Sequence, residues 1–156
     1  MINPEQNITQ KIGNIITLFI SKKDISGKIE KELLTLDKQG IIEDKYHNKD
    51  IQRSILLTSI ESYDLAKRHT IVMPYGTLGE NILMDYNPYH LHAGSKLQIG
   101  KQVILEISQY CTMCEHLSNI NKQLPTLLKN DRGIFAKVLQ EGNIQKGDAI
   151  YLLETP

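Results

Sequence analysis

The chain has 156 residues, with 18 Lys and Arg balanced by 18 Asp and Glu, so its formal net charge is zero. That length fits one domain with a core large enough to need no staples. Neutrality argues against a general nucleic-acid or anionic-membrane binder, since both need a basic footprint.

Two cysteines without a disulfide framework fit a reducing cytoplasm, the expected location. The N-terminal Met1-Ile-Asn-Pro-Glu-Gln-Asn7 is polar and lacks the basic-then-apolar pattern of a signal peptide. No apolar run is long enough to span a bilayer, and no repeat of solenoid or propeller period is present.

In chain order, Asn14 to Ser21 is β-branched and aromatic between Gly13 and a Lys-Lys-Asp cluster, and reads as a strand. The charged stretch to Asp50, broken at Gly27 and Gly40, predicts loops and short strands. Arg53 to Leu57 reads as a further strand. Thr58 and Glu61 have capping-box spacing, which predicts a helix reaching Arg68, with Arg68 and His69 at its negative end.

Ile71-Val-Met73, a Pro-Tyr-Gly turn and Gly79 to Met84 follow. Lys96 to Ile99 and Gln102 to Ile107 alternate in polarity around Gly100-Lys101, a hairpin signature. One or two helices interrupted by Pro125 occupy roughly 112 to 130. Strand-like Ile134 to Leu139, Ile144 and Ala149 to Leu153 close the sequence around Gly turns. Short strands, tight turns and few helices predict a mainly β fold. We expect a closed or partly closed β-barrel with a few peripheral α-helices, as a single domain over 1–156.

The chemistry centres on Cys111-Thr-Met-Cys114, placed after a strand and before a helix. The spacing admits a redox dithiol, half a zinc site, or one working thiol with a neighbour. Two cysteines packed as small hydrophobes are the bland alternative, and zinc has too few ligands in view. Gly79-Glu80-Asn81 offers a close backbone approach, a carboxylate and an amide, but also fits an ordinary turn. His90 and His92 flank Leu91, short of a metal set. Asp44 and His47 could couple or simply be loop polarity. No Ser/His/Asp arrangement, no carboxylate pair and no phosphate-binding glycine fingerprint is present.

Taken in order, these segments resemble the MOSC family, named for the C-terminal domain of molybdenum cofactor sulfurase. The matching pieces are Asp44-Lys-Tyr-His47, Arg53-Ser-Ile-Leu-Leu57 leading into a helix, and Gly76-Thr-Leu-Gly-Glu-Asn-Ile82. They continue with Leu97-Gln-Ile-Gly100, Leu105-Glu-Ile107, Cys114, Gly133-Ile-Phe-Ala-Lys-Val-Leu139 and Gly147-Asp-Ala-Ile150. The resemblance is clearest over 40–153 and is closest to the short stand-alone bacterial members.

It implies binding of the molybdenum cofactor (molybdopterin) or its precursor, with Cys114 as sulfur carrier or molybdenum ligand, in cofactor maturation or delivery. A thiolate suits a thiophilic metal, and an exposed low-pKa thiol can hold a persulfide. Glu80 and Asn81 are implied to hold pterin or neighbouring backbone, and Arg53 the cofactor phosphate. Arg132 is carried over as a further binding residue, although it adjoins Gly133 instead of lying one position further back.

The implied partners are a sulfur donor or an acceptor molybdoenzyme. An enzymatic role would be cofactor-linked sulfur transfer or a part in reducing N-hydroxylated compounds. The other class of reading is a non-catalytic dithiol or metal-binding regulatory module on the same fold, with Cys111 as an additional ligand. The sequence departs from the family at two places. Glu43 stands where a Gly usually precedes the early Asp, and Tyr110-Cys111 replaces the usual Pro-Arg run before the cysteine.

Overall fold

The computed structural model of the protein describes residues 8–112 and 115–154. Eleven strands are present among them: β1 (Ile8–Ile20), β2 (Ile29–Lys31), β3 (Leu33–Asp37), β4 (Gly40–Ile41), β5 (Ile55–Ser59), β6 (Ile82–Met84), β7 (Lys96–Ile99), β8 (Val103–Tyr110), β9 (Ile134–Gln140), β10 (Gly142–Gln145) and β11 (Ala149–Glu154). Three helices accompany them: α1 (Ile60–Arg68), α2 (Glu115–Ile120) and α3 (Leu124–Leu127).

Seven strands close into a ring in the order β11-β7-β8-β9-β5-β6-β1, sealed by pairing of β1 with β11. An odd ring cannot alternate direction throughout, so at least one neighbouring pair must be parallel. That pair is β5 with β6, and α1 lies within the long crossover that parallel strands require. The 13-residue β1 carries register shifts between Lys11 and Gly13 and between Ile15 and Thr17. Such bulges bend a strand. One edge of β1 serves first β11 and then β2, while the other serves β6. A small sheet, β10-β3-β4, flanks the ring.

The period of two in each strand sorts side chains to the two faces of the wall. Leu18 and Ile20, Ile55 and Leu57, Ile82 and Met84, Leu97 and Ile99, and Leu105 and Ile107 all join one buried cluster, so the lumen is packed with Leu and Ile. Leu83, between two of these, faces out and packs with Tyr63 and Ala66 of α1, Leu117 of α2, and Leu124 and Leu128. The three helices therefore cover one side of the barrel. On an adjacent part of the outer wall, Leu56, Phe135 and Cys111 form a small cluster of their own.

The hairpin of β7 and β8 has the expected register, with Ile99 opposite Val103 across a loop beginning at Gly100. The predicted helix forms, but its N-cap is Ser59, whose hydroxyl accepts from the Glu61 amide at 3.1 Å. The β5–β6 ladder keeps the chain extended through Ser59, opposite Met84, so the first helical residue is Ile60 and Thr58 lies one residue too early to cap. Arg53 is likewise not the first residue of the strand. Asp50 caps a 3-10 turn over Ile51–Arg53 by accepting from the Gln52 amide, and β5 starts only at Ile55.

Candidate functional site

A cavity of about 860 Å³ opens on the outer wall of the barrel, over Leu56 of β5 and Phe135 of β9. Among the described residues, its charged lining consists of Lys28, Lys49, Arg53 and Arg132 against one carboxylate, Asp50. Gly79, Asn81, Cys111 and His116 complete the parts that bear on chemistry. The volume is that of a small-molecule or cofactor site, where an apolar wall carries a few convergent polar groups.

The Gly76–Asn81 loop forms one side. Tyr63, on α1, donates its hydroxyl hydrogen to Glu80 Oε2 at 2.6 Å and accepts from the amides of Gly76 (3.1 Å) and Leu78 (3.2 Å). The Gly76 amide also reaches Glu80 Oε2 at 3.2 Å. Burial, and then the neighbouring Glu80 charge, push the Tyr63 hydroxyl far above the ordinary tyrosine range, so it stays a donor. Gly76 has φ +93, and a Cβ there would lie 3.1 Å from the Phe19 ring. From outside the loop, Arg132 Nη1 donates to the Leu78 carbonyl at 2.5 Å and His116 Nε2 donates to the Thr77 carbonyl at 3.0 Å.

Asn81 replaces a piece of β-ladder. Its Oδ1 accepts from the Leu56 amide (2.9 Å), and its Nδ2 donates to the Phe19 carbonyl (3.2 Å). Its own amide and carbonyl bond Leu56 O and Phe19 N. One residue thus joins β5 to β1 just before β6 begins. Neighbouring backbone is what Glu80 and Asn81 hold here. Asn81 also lines the cavity, whereas Glu80 is fully buried behind it.

Arg53 lies with its guanidinium carbon 5.0 Å from the Phe135 ring centre, a cation–π arrangement that steadies its fork against the wall. Arg132 is 94% buried by the complement of its 6% exposure. The adjoining Asp131 carbonyl accepts from Ser62 of α1 at 2.6 Å. That bond uses the one Ser62 hydroxyl hydrogen, so Tyr89 must donate to Ser62 (2.7 Å) while accepting from the Ser59 amide (2.9 Å). This chain of bonds ties the loop bearing Arg132 to the start of α1.

Cys111 is buried against Leu56 and Phe135, and its amide donates to the Gly133 carbonyl at 3.0 Å. Its thiol contributes to the cavity wall while packing as a small hydrophobe. Cys114 lies outside the described residues. The chain on both sides of it, at Cys111 and at His116, lines the cavity.

Two residues that matter here were not singled out from the sequence. Lys28 is half-buried in the cavity wall. Burial pushes its ammonium below the ordinary lysine range, partly offset by Asp44 and Glu80. Among the described residues it has no hydrogen-bond or ion-pair partner. Lys49 is exposed at the cavity rim. Lysines in a charged loop carry no signal before the fold gathers them.

Asp44 and His47 do not pair. Asp44 is buried and accepts from the Ser21 amide (2.7 Å) and the Tyr46 amide (3.1 Å), while His47 Nε2 meets Asp37 at 2.8 Å. His90 and His92 are both exposed. His90 bonds the Tyr86 hydroxyl and lines a different depression. Among the described residues no three His, Cys, Asp or Glu side chains are grouped to hold a metal. Glu43, in the position where the resemblance expects Gly, has φ +80, a left-handed conformation that a side chain rarely adopts.

The MOSC domain model matches residues 43–151. The chain belongs to the MOSC domain family. Solved structures of similar fold agree with this. The YuaD protein from Bacillus subtilis superposes with a TM-score of 0.81 at 17% identity, over 96% of this chain and 100% of that one. YiiM from Geobacillus stearothermophilus gives 0.66 at 19% identity, over 94% and 76%. YiiM from Escherichia coli gives 0.69 at 17% identity, over 92% and 71%. No curated protein matches the chain significantly by sequence. Among the described residues no helix is long and apolar enough to cross a membrane.

Proposed function

We propose that this MOSC protein binds the molybdenum cofactor, or its molybdopterin precursor, in the 860 Å³ cavity, and that Cys114 carries sulfur or ligates molybdenum there. The observation that carries this reading is the cationic cavity itself. Among the described residues, four basic side chains face one carboxylate beside an apolar wall containing Cys111. The donor set fits a phosphate-bearing heterocycle. Arg53, held on Phe135, offers a fork suited to phosphate, and Lys28 adds an ammonium without a protein partner. The Gly79–Asn81 turn brings backbone close to the edge of a flat ligand. When bound, the cofactor supplies a thiophilic metal centre, for which a cysteine sulfur is a suitable donor.

The chain's own part is binding and orientation. Arg132 and His116 keep the Gly76–Asn81 loop in place by bonding its carbonyls, and Leu56 and Phe135 keep water from one face of the site. Delivery to a molybdoenzyme, or receipt of sulfur from a donor, would follow from such holding, and the cytoplasm is where both would occur.

Protein purified from cells that make the cofactor is expected to contain molybdenum and to release a fluorescent pterin on oxidation. Cys114→Ser should lose molybdenum or persulfide, and Arg53→Ala should lose pterin. Zinc at one per chain, with no pterin, would instead favour the dithiol or metal-binding regulatory module. If Cys111→Ser abolished binding as fully as Cys114→Ser, both thiols would be at work.

A further inference from the structure

Lys28 stands just before β2, whose first residue, Ile29, pairs with Ile20 of β1 and packs on the barrel core. Side chains alternate along extended backbone, so Lys28 is turned to the outer wall, where it lines the 860 Å³ cavity. It is half-buried there, and among the described residues nothing accepts a hydrogen bond or an ion pair from its ammonium. The carboxylates that act on it from a distance, Asp44 and Glu80, are engaged by other donors. Asp44 accepts from the Ser21 and Tyr46 amides, and Glu80 Oε2 accepts from Tyr63 and the Gly76 amide.

A lysine that served only the fold would have a carboxylate in contact, and one that served only solubility would stand in water. Lys28 does neither. Burial pushes its ammonium below the ordinary lysine range, Asp44 and Glu80 offset part of this, and Lys45 adds to it. A desolvated amine in the wall of a pocket is the setting in which lysine becomes a nucleophile toward carbonyl groups. The rest of the lining states what such a carbonyl compound would carry. Arg53 and Lys49 favour an anionic group, and Leu56 and Phe135 favour a flat or apolar body.

We propose that Lys28 captures carbonyl compounds, binding a small phosphorylated aldehyde or ketone in this cavity as a covalent imine. The ammonium first releases a proton to solvent. The free amine then adds to the carbonyl carbon, forming the C–N bond, and a proton passes from nitrogen to oxygen to give a carbinolamine. That hydroxyl takes up the released proton and leaves as water, so the nitrogen ends in a protonated C=N bond. In sum, ammonium and carbonyl become iminium and water, with nothing oxidised or reduced. The inference goes beyond the cofactor reading and does not depend on it. The same side chain acts as a cation toward a phosphate and as a nucleophile toward a carbonyl.

Pyridoxal phosphate, a flat phosphorylated aldehyde, is the probe, and pyridoxal is its phosphate-free control. The full chain, purified from cells that do not make the cofactor, is incubated with each at neutral pH. Borohydride then reduces any imine to a stable secondary amine, and peptide mass mapping locates the label. Pyridoxal phosphate should label Lys28 ahead of the exposed Lys23 and Lys45. Pyridoxal should label it about tenfold more slowly, the size of one charge-assisted contact to the phosphate. The Lys28→Arg variant should lose that label, and the wild-type map reads the site whether or not the variant folds. Label spread over Lys23 and Lys45 as heavily as on Lys28, or a Lys28 label that forms equally fast with pyridoxal, would overturn the proposal. Pterin content of protein from cofactor-making cells separates the two conclusions. A chain that acquires pterin there but leaves Lys28 unlabelled when cofactor-free rejects the imine alone. A labelled Lys28 in a chain that never acquires pterin rejects only the cofactor reading.

Discussion

Asn81 gives the sharpest test of whether the Gly79-Glu80-Asn81 turn is chiefly a ligand holder or a structural joint. Replacing Asn81 with Ala removes the acceptor for the Leu56 amide at 2.9 Å and the donor to the Phe19 carbonyl at 3.2 Å, at a site only 4% exposed. Two hydrogen bonds at about 1 kcal/mol each are lost, and the buried Leu56 amide adds a desolvation penalty of about 1–3 kcal/mol. The sum is about 3–5 kcal/mol, a large fraction of a domain's stability. At roughly 2–4 °C per kcal/mol for a chain of this size, the midpoint of thermal unfolding should fall by about 6–20 °C. Urea unfolding followed by circular dichroism measures the same loss without heating. A loss below about 1 kcal/mol, the value of one ordinary hydrogen bond, together with abolished pterin binding, would refute the joint and make Asn81 a ligand residue.

Three further outcomes are expected. Tyr63→Phe should flatten the alkaline fall in stability. Burial and Glu80 raise the folded pKa, so the unfolded chain sheds the phenolic proton first and stability present below about pH 10 is lost above it. Melting curves from pH 8 to 11 would show a shallower slope in the variant, with a remainder from Tyr89, which burial also pushes up. Lys28→Met should raise the melting temperature at pH 7 while weakening phosphate binding. The folded pKa of Lys28 is lowered, so its penalty applies while it is charged and fades as pH rises toward 10.5; an unchanged difference between pH 7 and pH 10.5 would contradict this. Glu43→Gly should stabilise the fold, because relief of the left-handed φ of +80, about 1–2 kcal/mol, exceeds glycine's extra chain entropy of about 0.5–1 kcal/mol. A lower melting temperature in that variant would show that the Glu43–Lys31 pair carries more than an exposed contact should.

Local pattern in the sequence carried much of the barrel. Alternation around Gly100-Lys101 placed the β7–β8 hairpin, and the Thr58–Glu61 spacing placed α1 to within a residue at its start. The one-residue error there came from a tertiary cause, since pairing with β6 keeps Thr58 in a strand against its capping pattern. The short strands and tight turns already pointed to a closed or partly closed barrel, but which strands close it was not legible, because the bonds between β1 and β11 depend on strand neighbours that no local window contains. The same holds for the site. Arg53, Asn81 and Arg132 were visible as residue types in a recognisable order, but Lys28 and Lys49 look like ordinary solvated charge until Asp44 folds their loops together. His47 found Asp37 instead of Asp44 for the same reason: the backbone of Ser21 had the stronger claim on the buried acid.

The closing of the ring also sets the order of events during folding. Residues 8 and 154 face each other across the β1–β11 pairing, so its formation must bring together segments separated by almost the whole sequence. Such contacts are slow to form, because their loop-closure entropy comes before any reward. A nascent chain that has emerged only through β10 has β1 and β7 each lacking the neighbour that β11 provides. Two bare strand edges at once are a template for pairing with another chain. Production of the protein should therefore be most vulnerable in the interval before β11 clears the ribosome, and a variant shortened to residue 148 should aggregate even though its hairpins and helices are intact.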